Sequence, residues 1–238
     1  MGDLRSSYRH LTPRLVEAGF RVTTVDLRGH GDSTASFTEY GDEATARDTI
    51  ALLEPLGSAM IVGNSMSAAV GVIVAAERPE LVDGLVLVGP FVRNPKANPI
   101  MKAVMRVATA TPFVAATWKA FLPTLFAGRT PADHAEYLSS VLAAIRRPGY
   151  SKSFSRTTRA SHAPAEARLS RVHTPTLVVM GELDPDFPRP AEEAQWIAEQ
   201  LGGDVLMVPD AGHYPHAQRP DLVAPAITAF VQKVTKNV

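Results

Sequence analysis

The sequence predicts an α/β protein with a mostly parallel, doubly wound sheet, and three observations support this prediction. Short apolar runs rich in β-branched residues alternate with helical patterns along most of the chain. Several of the helical patterns end at a glycine, as at Gly19 and Gly202. The length of 238 residues suits one α/β domain with one substantial core.

The predicted core elements lie in two stretches, residues 1–90 and 173–238. The predicted strands are residues 21–26, 59–62, 85–88, 176–180 and 204–208. The predicted helices lie near residues 7–18, 42–55, 66–78, 191–201 and 221–234. Each strand is short and apolar, which is typical of strands that helices cover on both faces.

Residues 91–172 carry helical patterns without a clear strand. Proline or glycine separates the helical pieces, which are residues 99–109, 112–126, 131–147 and 150–161. We interpret this segment as a helical lid, inserted after the third readable strand-helix unit. Its large apolar side chains could line a pocket, although such a stripe at helical spacing more often forms plain core. These side chains are Met101, Met105, Phe113, Trp118, Phe121 and Phe126.

The composition limits the kinds of partner. The 24 Lys and Arg residues balance the 24 Asp and Glu residues, so no net charge attracts the whole chain to nucleic acid or to an anionic membrane. Because the sequence contains no cysteine, disulfides and thiolate chemistry are excluded. We expect a small-molecule substrate and no nucleic-acid or membrane partner, and the oligomeric state stays open.

Targeting and cofactor signals are not found in the sequence. The first ten residues contain no apolar signal-peptide core, and no window reaches about 18 consecutive apolar residues. A cytoplasmic location is therefore the expectation. No group of His, Asp and Glu residues has metal-ligand spacing, and no glycine-rich nucleotide motif follows a strand, so we expect neither a metal nor a cofactor.

Ser65 is the candidate nucleophile. It is the centre of residues 63–67 (GNSMS), which follow one predicted strand and precede a helical run. A serine flanked by small residues in such a turn can project its hydroxyl above the sheet. The start of the following helix directs backbone N–H groups outward, so the N–H of Met66 is a candidate oxyanion donor. The plainer interpretation is an ordinary turn with a serine near the helix cap.

Asp184 and His213 are the candidate acid and base. Residues 181–188 (GELDPDFP) follow one predicted strand, and residues 210–215 (DAGHYP) follow the next. Both loops therefore leave the carboxyl edge of the sheet, where α/β proteins place their sites. An imidazole can accept the serine proton when a carboxylate holds its other ring nitrogen. The chain order Ser65, Asp184, His213 is the order expected of such a triad.

The whole pattern resembles the α/β-hydrolase superfamily. Residues 25–33 (VDLRGHGDS) and 76–82 (AERPELV) are similar to two further segments of that family. The resemblance covers nearly all of the chain and implies an α/β-hydrolase fold, an acyl-enzyme mechanism and a lid over the site. Its spacing of Gly, Asp and Pro in the acid loop selects Asp184 over Glu182 and Asp186, with Asp186 as the reserve.

The remaining histidines have structural interpretations. His30 is expected to bond loop backbone, and His216 is expected at the rim or surface. The other four are interpreted as surface or structural residues because no catalytic grouping surrounds them: His10, His134, His162 and His173.

The sequence departs from the family at its start. The family's second oxyanion donor comes from a His-Gly loop, after a central strand that precedes the first helix. That strand is not found here, and residues 1–4 (MGDL) resemble the tail of the loop, which puts Met1 close to the donor position. In the family the strand lies between those that correspond to residues 21–26 and 59–62. The resemblance therefore predicts a gap or a rearranged sheet with unpaired edges.

The expected function is hydrolysis of an ester or related acyl bond in a small, moderately apolar, uncharged substrate. A serine at the elbow argues against the dehalogenase and epoxide hydrolase branches, which resemble this fold but use aspartate there. Phe91, Trp118, Phe121 and Tyr214 are the candidate substrate-binding residues. A carbon–carbon bond hydrolase, a cofactor-free haloperoxidase and a receptor-like relative with weak catalysis stay open as alternatives.

Overall fold

A computed structural model describes residues 1–95 and 98–236, and a parallel sheet of four strands forms its centre. The strands are β1 (Ala59–Asn64), β2 (Val82–Val88), β3 (Thr176–Gly181) and β4 (Asp204–Val208). They lie side by side in the order β1-β2-β3-β4, and every neighbouring pair is parallel. The predicted α/β class with a parallel sheet is confirmed.

The helices of the described residues fall before, between and after these strands. In the two core stretches they are α1 (Thr12–Glu17), α2 (Asp42–Leu53), α3 (Met66–Glu77), α9 (Pro190–Leu201), α10 (Pro215–Gln218) and α11 (Pro220–Lys236). Between β2 and β3 they are α4 (Pro99–Ala108), α5 (Val114–Phe121), α6 (His134–Arg146), α7 (Tyr150–Thr157) and α8 (Ala163–Glu166). Short 3-10 turns cover Arg5–Tyr8, Pro79–Leu81, Leu122–Phe126 and Leu169–Arg171.

Two apolar layers form because successive side chains of a strand point to opposite faces of the sheet. On one face, Leu85 and Leu87 of β2 pack in a core with α2, α3 and α9. On the other face, Val86 and Val88 of the same strand pack with α1 and α11. Both faces are thus covered, as the continuous apolar character of the strands predicts.

The predicted strand at residues 21–26 does not form, and this prediction was wrong. Residues 21–25 make no backbone–backbone hydrogen bond within the described part of the chain. Their burial nevertheless alternates from residue to residue, as in an extended segment. A cavity of about 510 Å³ lies between this segment and β1. The segment lacks a neighbouring strand to pair with, which matches the gap that the resemblance predicts.

The outer edge of β1 is partly closed by Tyr8. The Tyr8 hydroxyl donates a hydrogen bond to the Val62 carbonyl at 3.2 Å and accepts one from the Asn64 N–H at 3.1 Å. One side chain thus takes the place of a peptide group at the carboxyl end of the strand. This end is also the one that leads into Ser65.

The segment between β2 and β3 is helical where it is described. Because residues 21–26 are not a strand, it follows the second strand of the observed sheet rather than the third. The part from α5 to α7 packs in its own cluster with Phe126 and with Tyr214 from the core. No helix of the described residues is both long and apolar enough to cross a membrane.

Candidate functional site

Ser65 lies at a sharp turn between β1 and α3. Its backbone has φ 57° and ψ −123°, a left-handed conformation that is uncommon for a residue other than glycine. The turn is fixed by a hydrogen bond from the Ser65 N–H to the Val88 carbonyl at 2.9 Å. Gly63 is required beside it, because a Cβ there would lie 2.4 Å from the Ser67 carbonyl oxygen. This is the strained elbow that the sequence predicts.

Met66 is the first residue of α3, so its N–H has no partner four residues back within the helix. The N–H groups of a helix start carry partial positive charge and favour an anion. The Met66 N–H therefore has the character needed of an oxyanion donor next to Ser65.

His213 and Asp184 form a buried pair. The Nδ1 atom of His213 lies 2.8 Å from Oδ2 of Asp184, and both residues are 2% exposed. In a neutral imidazole that donates from Nδ1, Nε2 carries a lone pair and can accept a proton. The pair thus has the arrangement of a general base held by a carboxylate.

The charges around His213 set its basicity. Burial alone lowers the pKa of the imidazole, but Asp184, through its charge and its hydrogen bond, and then the charge of Asp186 raise it above the ordinary value of 6.5. Burial also raises the pKa of the Asp186 carboxyl. Asp186 lies 3.6 Å from His213 Nδ1 at its nearest oxygen, while its N–H donates to Asp184 Oδ1 at 3.0 Å. Asp184 is therefore the direct partner of the histidine and Asp186 the more distant charge.

Ligand atoms of Asp184, Asp186 and His213 all lie within 4.8 Å of one another, so this group could in principle hold a cation. The Nδ1 atom is already hydrogen-bonded to Asp184. The arrangement fits proton transfer better than metal ligation, because a ligating nitrogen would have to give up that bond.

Glycines allow the loops of the site to approach closely. At Gly89, which has φ +48°, a Cβ would lie 3.0 Å from His213 Nδ1 and 3.2 Å from Asp184 Oδ2. At Gly181 a Cβ would lie 2.0 Å from the Gly212 carbonyl oxygen. The acid loop and the histidine loop therefore depend on small residues at the ends of β2 and β3.

Asn64 and Gln218 also position the site, and the sequence analysis did not identify either. Asn64 Nδ2 donates to the carbonyls of Val88 and His213, each at 3.1 Å. The elbow is thereby tied to the histidine loop. Buried Gln218 accepts from the Gly212 N–H at 2.9 Å and donates to the carbonyl of Ala127 at 2.8 Å. An isolated amide residue carries no sequence pattern, so only the folded chain reveals these bonds.

The start of the chain lies beside the site region. Met1 is half-buried and packs against the cluster that contains Trp118 and Tyr214. The Gly2 N–H donates to His30 Nε2 at 2.9 Å, and Trp118 Nε1 donates to the Gly2 carbonyl at 2.7 Å. Residue 2 is thus held by hydrogen bonds through both its N–H and its carbonyl.

The four predicted substrate-binding residues fall into two groups. Phe91 is half-buried, with its ring 5.9 Å from the His213 ring and 4.8 Å from the Phe187 ring, measured between centroids. Phe121 is also half-buried, and it packs at the edge of the cluster formed by α5 to α7. Trp118 and Tyr214 are buried within that cluster. The Tyr214 ring also lies 5.4 Å from the His213 ring, measured between centroids, so Phe91 and Tyr214 both lie beside the candidate base.

The structure corrects the interpretation of His216. The side chain is fully buried and neither ring nitrogen has a hydrogen-bond partner within the described residues, so a position at the rim or surface was wrong. Burial lowers its pKa to about 3, which makes the ring neutral and unsuited to replace His213. His30 bonds loop backbone as expected, because its Nδ1 lies 3.0 Å from the Arg28 carbonyl.

Within the described residues, the other four histidines make no hydrogen bond to Ser65, Asp184 or His213. His162 is buried with Nδ1 2.7 Å from Asp42 Oδ2, which joins the segment between β2 and β3 to α2. His10 contacts Asp133 at 3.0 Å, and His173 is exposed. His134 packs its ring against Phe126 at 4.3 Å.

A parallel α/β sheet with a serine elbow and a histidine–carboxylate pair at one edge defines the class of α/β hydrolases. The chain belongs to that family, because the family model described as "Alpha/beta hydrolase family" matches residues 2–226.

Individual proteins resemble the chain over nearly their whole length. A probable esterase from Oryza sativa subsp. japonica is 29% identical over 97% of this chain and 88% of its own. A putative non-heme bromoperoxidase, BpoC from Mycobacterium tuberculosis, is 28% identical over 98% of this chain and 91% of its own. The crystal structure of a bromoperoxidase from Bacillus anthracis has a TM-score of 0.83 at 19% identity, covering 96% of this chain and 88% of that chain. The last similarity concerns the fold alone.

Proposed function

We propose that this protein is a serine hydrolase that cleaves an ester or a related acyl bond. The observation that carries the proposal is the serine elbow tied to the His213–Asp184 pair. Asn64 bonds the His213 carbonyl at 3.1 Å, and the Phe91 N–H donates to the Ser65 carbonyl at 3.3 Å while its ring contacts His213. Ser65, Asp184 and His213 thus follow the carboxyl ends of β1, β3 and β4, at one edge of the sheet.

In the proposed first half-reaction, the Ser65 oxygen attacks the carbonyl carbon of the ester while His213 Nε2 accepts the hydroxyl proton. The tetrahedral intermediate then breaks the bond to the leaving alcohol, which takes the proton back from His213. In the second half-reaction, water attacks the acyl-enzyme with the same proton transfers and releases a carboxylic acid. Asp184 stabilises the imidazolium in both steps.

The proposed oxyanion donors are the N–H of Met66 and a group at Met1. Support for Met66 is its position at the first turn of α3, directly after the nucleophile. Support for Met1 is its packing in the cluster beside the histidine loop. This chemistry uses only groups of the chain and requires neither a metal nor a cofactor.

The proposed substrate is a small, moderately apolar and uncharged acyl compound. Phe91 supplies an aromatic surface against His213 and Phe187, and Phe121 adds a half-buried ring from the lid segment. Apolar walls next to a few polar groups are typical of small-molecule sites. Buried Asp184 and the nearby Asp186 disfavour an anionic acyl group.

The test is hydrolysis of p-nitrophenyl acetate, butyrate and octanoate by the wild-type chain and by Ser65→Ala, with Ser67→Ala as the matched serine control. The expected result is turnover that falls by about a thousandfold or more in Ser65→Ala and is retained in Ser67→Ala. Equal turnover in the wild type and Ser65→Ala would contradict the proposal. The anionic p-nitrophenyl succinate monoester is assayed beside these esters, and faster turnover of the succinate than of the butyrate would contradict an uncharged substrate.

A second candidate is cofactor-free halogenation, favoured by the 28% identity to the putative bromoperoxidase. It would use the same triad, because fold and triad do not determine the substrate. Bromination of monochlorodimedone with hydrogen peroxide, bromide and acetate, measured beside ester hydrolysis, separates the two. Halogenation that exceeds ester hydrolysis in kcat/KM would favour this candidate.

A further inference from the structure

Helix α4 (Pro99–Ala108) has an apolar side that no part of the described chain covers. Its large apolar side chains are between 42% and 73% exposed, and none of its described residues is buried. These side chains are Ile100, Met101, Val104, Met105 and Val107. Phe113, just before α5, is 56% exposed and extends the same kind of surface. We call these six residues the α4 apolar face.

Helix α4 is amphipathic, with an apolar side and a basic side. At 3.6 residues per turn, the apolar positions from 100 to 107 share one side of α4. The sequence puts arginine at position 106, on the opposite side of the helix. An apolar side opposed by a basic side is typical of helices that lie in a membrane surface.

The charge of the surrounding segment is one-sided. Between Phe91 and Ala132 the sequence contains basic residues and no acidic residue. The basic residues are Arg93, Lys96, Lys102, Arg106, Lys119 and Arg129. Arg93 is paired with Glu193, whereas Arg106, Lys119 and Arg129 are exposed. The zero net charge of the whole chain therefore conceals a basic region around α4.

The partner that covers the α4 apolar face must match both its apolar side chains and the basic residues around it. None of the described residues of this ten-residue helix is buried, so packing adds little to its stability in water and a cover on its apolar side would stabilise it. A second copy of the chain would bring two basic regions together, which is unfavourable. A surface of anionic lipid offers an apolar interior for the methionine and aliphatic side chains and negative headgroups for Arg106 and Lys119.

We propose that this protein docks reversibly on an anionic lipid surface through the α4 apolar face and the basic residues beside it. The contact is peripheral: α4 lies in the plane of the headgroups, and the sheet and the candidate site stay outside the bilayer. The proposal does not depend on catalysis, and it replaces the expectation from net charge that no membrane is a partner.

The test is co-sedimentation of the Ser65→Ala protein with vesicles at low ionic strength. One set contains phosphatidylcholine alone and the other contains phosphatidylcholine with phosphatidylglycerol. The expected result is binding to the anionic vesicles only, weakened at least about tenfold by the double variant V104E and M105E and more modestly by Arg106→Glu. Raised salt should weaken it further.

Matched controls are Val16→Glu, at a 53% exposed valine of α1, and Arg159→Glu, at an exposed arginine after α7. All variants should retain the melting temperature of the parent, because the altered side chains are exposed. Any of three outcomes would overturn the proposal: no sedimentation with anionic vesicles, equal binding to neutral vesicles, or an equal effect of the control substitutions. A dimer in analytical ultracentrifugation that V104E and M105E dissociate would assign the face to a second copy instead.

Discussion

Oδ2 of Asp184 lies 2.8 Å from Nδ1 of His213, and each of these two residues is only 2% exposed. A carboxylate buried this deeply is costly unless a partner compensates it, and the imidazole is that partner. The pair therefore fixes the ring orientation and leaves Nε2 as the reactive nitrogen. The pH dependence of activity follows from the same contact.

The acidic limb of the pH–rate profile should lie above pH 6.5. The base must be neutral to accept the serine proton, and although burial opposes it, the charges of Asp184 and Asp186 raise the pKa of His213. Activity should therefore rise as the pH increases through that raised pKa. Asp186→Asn removes one of the charges that raise the pKa of His213, so the acidic limb of this variant should move to lower pH. The measurement is kcat/KM against pH for an uncharged ester.

Asp204→Asn is the control for this experiment, because Asp204 pairs with Lys233 on the surface. Its profile should match the wild type. A limb in Asp186→Asn that stays in place or moves to higher pH would show that Asp186 does not act on the base.

Gly89→Ala should reduce kcat, whereas the control variant Gly19→Ala should not. The new Cβ would lie 3.0 Å from His213 Nδ1 and 3.2 Å from Asp184 Oδ2, so the pair must shift. Gly19→Ala also puts a side chain at a positive φ, of +93°, but nothing lies within 4 Å of its Cβ. We expect kcat to fall by about tenfold or more in Gly89→Ala only. Equal losses of kcat in Gly89→Ala and Gly19→Ala would mean that backbone strain, and not displacement of the His213–Asp184 pair, lowers activity.

Tyr8→Phe should destabilise the fold. It leaves the Asn64 N–H and the Val62 carbonyl without their side-chain partner, at a cost of about 1–3 kcal/mol in the free energy of unfolding. Urea denaturation measures this cost. Tyr150→Phe is the control, because Tyr150 is likewise half-buried but its hydroxyl bonds the Ser33 carbonyl, which lies outside the sheet. A loss in Tyr8→Phe no larger than in the control would mean that water enters the cavity and satisfies β1.

Acid should unfold the protein partly through His216 and His30. Burial lowers the pKa of His216 to about 3 and, with a smaller contribution from the N-terminal charge, that of His30 to about 4. The unfolded chain takes up these protons near pH 6.5, so stability falls as the pH drops from about 6.5 toward 4, by up to about 1.4 kcal/mol per pH unit for each histidine. His216→Met should flatten this slope in urea titrations, and an unchanged slope would contradict the account.

Much of the fold was predictable from the sequence, because the spacing of apolar residues and the positions of turn residues can be read within each short segment. The runs that became β1 to β4 contain enough β-branched and aliphatic residues to specify buried strands, and each aligns with a neighbour in the parallel sheet. Residues 21–26 are also rich in β-branched residues, but they have no strand beside them. A strand exists only as a pair, so local pattern overstated the sheet here.

The candidate site was predictable to the extent that its residues follow strand ends. Ser65, Asp184 and His213 leave the same edge, and their positions follow from parallel topology. Asn64 and Gln218 act through bonds to distant carbonyls, and the burial of His216 depends on packing across the molecule. Such long-range contacts leave no periodic trace in the sequence.

The most direct test of the central claim is labelling with a fluorophosphonate probe, followed by mass spectrometry of the modified peptide. The account predicts covalent modification at Ser65, lost in Ser65→Ala and retained in Ser67→Ala, with a rate that rises with pH as His213 becomes neutral. Modification at another serine, or no modification of folded wild-type protein at any pH, would contradict the assignment of Ser65 as an activated nucleophile.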